Sequence, residues 1–208
     1  MNRYVTVKQE SVYESVISRS RFISLCFPAR DEDEALARLA GARANHPDAS
    51  HVCYAYRVGE RGETARFSDA GEPSGTAGMP ILEALRTQGV TNALVAVARY
   101  FGGTLLGTGG LARAYGGGAV EALRRAGRIE RIPAALFALH MDYARFGALE
   151  AFLRKAARID GIDYADHVFV RAAVALEDAE AFEAGVVEQS FGRVRPERCG
   201  QGQLEREF

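Results

Sequence analysis

The 208-residue chain has no tryptophan, three cysteines, four histidines, six prolines and only two lysines, Lys8 and Lys155, against 24 arginines. Each shortage excludes something. Cys26, Cys53 and Cys199 form no CxxC pair; three scattered thiols rule out a disulfide miniprotein and fit a reducing compartment. The histidines show no HxxxH or HExxH spacing, so no metal site is expected. No GxSxG elbow, GKS/GKT step or GxGxxG turn occurs, which removes the hydrolase, Walker and Rossmann signatures. No apolar run approaches the ~20 residues of a membrane span. The opening stretch MNRYVTVKQESVYES lacks the apolar core of a secretory signal. The expectation is a cytoplasmic protein that takes no membrane as partner and no cofactor. Arginine so far ahead of lysine, in an alanine-rich chain, looks like the coding bias of a GC-rich genome, so a single arginine carries little functional weight.

What is present is an ordinary globular balance, 48% hydrophobic and 25% charged, in a chain long enough for one large domain or two small ones. The net charge of −1 argues against a general nucleic-acid coat and makes DNA an unlikely partner. The charge is uneven, however. Residues 1–131 carry 17 Lys and Arg against 14 Asp and Glu; residues 132–208 carry 9 against 13. Six arginines (Arg99, Arg113, Arg124, Arg125, Arg128, Arg131) fall between residues 99 and 131, beside only Glu121 and Glu130. Such a local basic face suits an anion, a phosphate or RNA, or is simply a solvated helix face.

Hydrophobic spacing organises the chain. Val12–Ser18 and Arg21–Phe27 read as strands, followed by a helix opened by Asp31 and finished by Pro47. His51–Val58 and Ala65–Asp69 read as strands, then a helix from Ser74–Thr76 to Gly89, a buried strand at Ala93–Ala98, and a helix from about Gly109 to Ala126. After a linker at Gly127–Pro133, the order becomes β-α-β-β-α-β, that of a ferredoxin-like sandwich. The fold class is therefore α+β with two domains, 1–130 and 131–208.

Two motifs carry chemistry, and 14 of the 22 glycines lie between Gly59 and Gly118, around them. The first is DAGEPSGTAGMPIL, Asp69–Leu82. Ser74 and Thr76 are placed to cap helix N–H groups, and Asp69 and Glu72 are candidate acid, base or ligand groups, or solvated carboxylates of a plain turn. The second is NALVAVARYFGGTLLGTGGLARAY, Asn92–Tyr115. Here Gly102, Gly103, Gly107, Gly109 and Gly110 surround an apolar step before a helix whose first N–H groups favour an anion. Arg99 and Arg113 would add bidentate contacts, and Tyr100 or Phe101 would stack on a base or fill the core. Gly116–Gly118, inside the helix, point to close packing. His51 and Cys53 share a strand face but have no orienting third group, so they are not read as a catalytic dyad.

Together, SRFISLCFPAR (Ser20–Arg30), HVCYAYR (His51–Arg57) and the two glycine motifs resemble the YigZ/IMPACT family over about residues 10–127. The two-domain layout is similar to its bacterial branch. The resemblance implies a first domain with the fold of the second domain of a small-subunit ribosomal protein. It implies a second domain similar to domain five of elongation factor G. It also implies a link to translation regulation. Carried over by motif, the signature positions are Asp69, Glu72, Thr76, Arg99, Tyr100, Phe101, Gly102, Gly103, Gly107, Gly110, Arg113 and Tyr115. Many relatives carry Lys where this chain has Leu105, so the step between the glycine pairs loses a cation. The leading expectation is a non-enzymatic binding protein, with no catalytic residue, that contacts RNA or the ribosome, or a translation-related protein, through the Arg/Gly face. Two others stay open: an enzyme or small-anion binder around Asp69, Glu72 and Arg99, and motifs that only build the fold and a protein interface.

Overall fold

A computed structural model describes residues 1–208. The chain divides into two compact units, Tyr4–Glu130 and Arg131–Arg206, with a few terminal residues exchanged between them.

The first unit contains β1 (Tyr4–Val7), β2 (Ser11–Ile17), β3 (Ser20–Pro28), α1 (Glu32–Asn45), β4 (His51–Val58), β5 (Thr64–Ser68), α2 (Gly78–Thr87), β6 (Ala93–Tyr100) and α3 (Gly107–Ala126). Strands β2-β3-β6-β4-β5 form one antiparallel sheet in that order. The continuous apolar run becomes its central strand, β6, buried at every residue but the last. The run Ala93–Ala98 is apolar at every residue because helices cover both faces of the sheet. On one face Phe22, Cys53, Ala55, Val95 and Val97 pack under α2 and α3, with Ile81, Leu85, Leu111 and Leu123. On the other, Ile23, Leu25, Tyr56, Leu94 and Ala96 pack under Ala35, Leu39 and Ala42 of α1. Alternate β6 side chains thus feed two separate cores, as the period of 2 requires.

The glycines within α3 let it lie close to its neighbours. A Cβ on Gly118 would overlap Ser24 Oγ of β3, and one on Gly116 would touch Pro80 of α2 at 3.4 Å; Gly117 faces open space.

The second unit contains β7 (Arg128–Met141, which starts at the end of the first unit), α4 (Tyr143–Ala156), β8 (Arg158–Tyr164), β9 (Val168–Ala175), α5 (Ala179–Gln189) and β10 (Glu197–Glu207). Its strands lie in the spatial order β10-β7-β9-β8, fourth-first-third-second, the order of a ferredoxin-like sheet. Both helices bury their apolar stripes on one face: Phe146, Leu149, Leu153, Phe182 and Val186 meet Phe137, Leu139, Val170 and Val174. Asp142 caps α4 by accepting from the Arg145 N–H at 2.9 Å.

Three local expectations are corrected. The stretch Gly127–Pro133 is mostly strand rather than linker, because β7 starts at Arg128. Helix α3 begins two residues earlier than read, at Gly107. The short β1 was not read as a strand. It is held by a bridge from Val5 to Val90 and by the N–H of Lys8 on the Gly127 carbonyl at 3.1 Å, partners too distant in sequence to leave a local signal.

Candidate functional site

The site grows from the end of the central strand. Strand register sets Arg99 of β6 beside Phe22 of β3 on one side and His51 of β4 on the other. All three face α2 and α3, because Arg99 continues the face of Val95 and Val97. Tyr100, the next residue, points to the opposite face. There its hydroxyl pairs with His46 Nδ1 at 2.9 Å, and the Arg21 guanidinium lies 5.5 Å from its ring centroid. Tyr100 is thus separated from the other signature residues by the sheet itself.

The first motif supplies the partner of Arg99. Between β5 and α2 the backbone turns through positive φ at Ala70, Gly71 and Gly75. Asp69 organises this loop: one oxygen accepts from the Ala77 and Gly78 N–H groups at 2.9 and 2.8 Å, the other from Gly75 N–H at 2.8 Å. Asp69 is thereby the cap of α2, a role the sequence reading gave to Ser74 and Thr76. The Thr76 hydroxyl instead donates to the Pro73 carbonyl at 2.6 Å. Burial pushes the Asp69 carboxyl up, but the three N–H groups outweigh it and hold the group below the usual carboxylate range.

The same loop turns Glu72 inward. Its Oε1 accepts from Arg99 Nη1 at 2.6 Å and from the Tyr115 hydroxyl at 2.7 Å. The side chains of Glu72 and Arg99 are 3% and 6% exposed, so this is a buried ion pair with a hydrogen-bonded third member. Arg99 Nη2 reaches Ser20 Oγ at 3.3 Å, while its Nε has no partner. Its guanidinium carbon lies 5.5 Å from the Phe22 ring centroid and 5.3 Å from that of Phe101, close enough for cation–π attraction to both. Tyr115 is fully buried against the edge of Phe22, and burial first of all raises its phenol well above the ordinary value. Asp69 and Glu72 therefore do not form a paired-carboxylate acid–base site. One caps a helix and the other neutralises an arginine.

His51 completes the group. Its Nδ1 lies 2.9 Å from the Ala70 carbonyl, an acceptor, so that nitrogen carries a proton, and in the neutral ring the lone pair is on Nε2. Nε2 is 4.0 Å from Glu72 Oε1. Cys53, two residues along the same strand face, donates its thiol to the Asp69 carbonyl at 3.0 Å. Burial pushes that thiol up to about 12, so it keeps its proton at neutral pH and is no nucleophile.

A cleft of about 440 Å³ opens over this group, lined by His51, Gly71, Glu72, Arg99, Phe101 and Leu105, and closed by Leu106, Gly107, Thr108 and Leu111 of the glycine loop and α3. A second cleft of about 380 Å³ shares Leu105 and Leu106 with the first and is lined otherwise by Ile17, Ser18, Gly110, Arg113 and Ala114. Between them Leu105 stands 87% exposed. Gly102 is required where it is, since a Cβ there would overlap the Arg19 carbonyl; Gly103 and Gly107 take positive φ on either side of the exposed step.

The basic face read from residues 99–131 largely dissolves. Arg99 is buried; Arg124 pairs with Glu121 at 3.0 Å and Arg131 with Glu205 at 2.8 Å. Arg125 is tied to the Val12 carbonyl at 3.2 Å and Arg128 to that of Gln88 at 3.5 Å. Arg113 alone of the six is exposed without a partner. The structure adds Arg19, exposed and equally unpartnered, in the turn that lines the second cleft through Ser18. Sequence reading missed Arg19 and Ser20, and gave His51 no role. Their signal lies in strand register, which no local pattern encodes.

The family model of the Impact N-terminal domain matches residues 18–123, and that of a domain of unknown function (DUF1949) matches residues 139–193. The chain is 36% identical over 194 residues to IMPACT family member YvyE of Bacillus subtilis, covering 93% of this chain and 89% of that protein. It is 37% identical over 194 residues to IMPACT family member YigZ of Escherichia coli, covering 92% of each. A crystal structure of a hypothetical protein superposes with a TM-score of 0.62 at 33% identity, covering 96% of this chain and 98% of that one.

Proposed function

The chain belongs to the IMPACT family, and from that premise we propose that it is a translation-linked binding protein of the cytoplasm whose first unit contacts RNA phosphate on the ribosome. The observation that carries this reading is the pair Arg19 and Arg113. Both are exposed and unpartnered, and they belong to the two segments that line the second cleft, the β2–β3 turn and the start of α3. Phosphate contacts come from arginines that are free to move onto the strand. Phe101, 49% exposed at the root of the glycine loop, supplies a ring face for a base. Arg99 drops out of the phosphate-binding set, since Glu72 neutralises it, and its role becomes that of holding the loop in place. The protein acts by contact rather than by chemistry in this reading, in keeping with a capping Asp69, a neutralised Glu72 and a protonated Cys53.

The test is co-sedimentation with ribosomes and separated subunits across a salt series. Binding should fall with a log–log slope of about −0.7 per phosphate held on single strands, and Arg19→Ala and Arg113→Ala should each flatten the slope by about 0.7 without unfolding the protein. A flat salt response, or slopes unchanged in both variants, would overturn the RNA reading and leave a protein of the translation machinery as the partner.

A further inference from the structure

We propose that the first cleft is a carboxylate-binding site, built to hold a single carboxylate that carries an apolar body and an adjacent N–H or O–H donor. This does not rest on the phosphate reading, since neither Arg19 nor Arg113 lines this cleft.

Two independent observations locate the carboxylate. Helices α1, α2 and α4 have their first N–H groups taken by Asp31, Asp69 and Asp142, and α5, also without a side-chain cap, runs on directly from a 3₁₀ turn at Leu176–Asp178. In α3, a helix of 20 residues, no side chain caps the start, so the N–H groups of Gly107 to Gly109, which the helix cannot satisfy from within, have no side-chain acceptor. Gly107 and Thr108 line the cleft. The second observation is Arg99 Nε, a charge-bearing donor buried without a partner on a side chain that lines the same cleft. Phe101, half-exposed, lines the same cleft with its ring centroid 5.3 Å from that guanidinium carbon. A helix start and a guanidinium with an unpaired N–H lining one cleft are anion-binding chemistry.

The charge of the walls selects the anion. Arg99 is already balanced by Glu72, which itself lines the cleft. The remaining positive potential is that of one helix end, worth roughly half an elementary charge. A dianionic phosphate would face the Glu72 carboxylate with little to offset it, whereas a monoanion is matched. Leu105, Leu106, Leu111 and Phe101 supply an apolar wall, and about 440 Å³ suits a body of side-chain size or somewhat larger. His51 adds the third requirement. The Ala70 carbonyl sets its tautomer, so in the neutral ring Nε2 is an acceptor without a donor. Carboxylate, apolar side chain and neighbouring N–H are together the end of a peptide chain, or a small acylated amino acid.

The experiment uses the full chain and N-acetyl-leucine as probe, followed by amide and side-chain NMR. N-acetyl-leucine should shift the amides of Gly107–Gly110 and the His51 ring, and N-acetyl-leucinamide, which lacks the carboxylate, should bind at least tenfold more weakly. Thr108→Asp places a carboxylate at the exposed start of α3, where it suits the helix. It should abolish binding while leaving the melting temperature equal or higher, which separates loss of the site from loss of the fold. A pentapeptide ending in leucine distinguishes the sources: affinity tenfold above that of the acetylated residue assigns the site to a chain terminus, equal affinity to a small acid. Equal binding of acid and amide, tighter binding of inorganic phosphate, or undiminished binding by Thr108→Asp would each overturn the proposal.

Discussion

The buried pair Glu72–Arg99 should behave as a coupled unit, and its energetics can be worked from the geometry. Removing one member leaves the other as a lone charge on a side chain only 3% or 6% exposed. Breaking such a pair by truncating one partner costs about 3–5 kcal/mol. Glu72→Gln leaves Arg99 uncompensated, although the Gln carbonyl still accepts from Tyr115. Arg99→Met leaves Glu72 uncompensated and also removes the cation that lies between the Phe22 and Phe101 rings. For a domain of this size each kcal/mol moves the midpoint by about 4 °C, so either single variant should lower melting of the first unit by about 12 °C or more. The double variant removes both charges together. It should cost less than the sum of the singles by at least about 2 kcal/mol, because the charge that makes each single variant costly is gone. Calorimetry of the full chain, with hydrogen exchange read separately at β6 and at β9, assigns each transition to its unit. Single variants within about 1 kcal/mol of the parent, or a double variant that is simply additive, would refute the reading of Arg99 as a structural cation held by Glu72.

Asp69→Asn should destabilise the first unit by about 1–2 kcal/mol at pH 7, since the cap loses its charge and offers only one acceptor oxygen. The folded carboxyl lies below its ordinary value of about 3.9. Its stabilisation is therefore complete above that value and disappears as pH falls through the folded value, so urea midpoints of parent and variant should converge on acidification below the ordinary carboxylate range. A gap that persists unchanged would show that the lost charge is not the cause. Gly78→Ala and Gly117→Ala make a matched pair within helices. A Cβ at Gly78 would stand 2.8 Å from the Ser68 backbone, whereas one at Gly117 meets nothing. The first should cost about 1–3 kcal/mol and the second should gain up to about 1 kcal/mol in chemical denaturation.

Much of this fold was legible because its elements are written in local periodicity. The run Ala93–Ala98 is apolar at every position, and only a strand covered on both faces wants that pattern. Asp31 and Asp142 announce their helices by standing immediately before them. The β-α-β-β-α-β order of residues 128–207 follows from strand and helix spacing alone, and with it the sheet order, since few arrangements of such an element string are compact. The glycine motifs were also visible, and Gly102, Gly116 and Gly118 do serve close approaches, because a missing Cβ is a statement about what lies nearby.

The chemistry of the charged residues was decided elsewhere. In sequence Arg99 and Arg113 look alike, two arginines beside a glycine loop. One is sealed by a glutamate 27 residues before it and a serine 79 residues before it; the other stands free. Tyr115 reaches that glutamate from 43 residues away. An arginine's side chain is long enough to serve either a core or a surface, so its local pattern does not differ between the two. Asp69 and Glu72 likewise read as one acidic pair until the positive φ values at Ala70 and Gly71 turn them apart, the first to cap α2 and the second to meet Arg99. Sequence determined the elements, their order and the places where backbone must come close. Only the register of β3, β4 and β6 and the packing of α3 across them decided which charges are neutralised, which histidine nitrogen is exposed to the cleft, and which arginines remain available to a partner. Pairing energies act between residues that the chain itself keeps far apart.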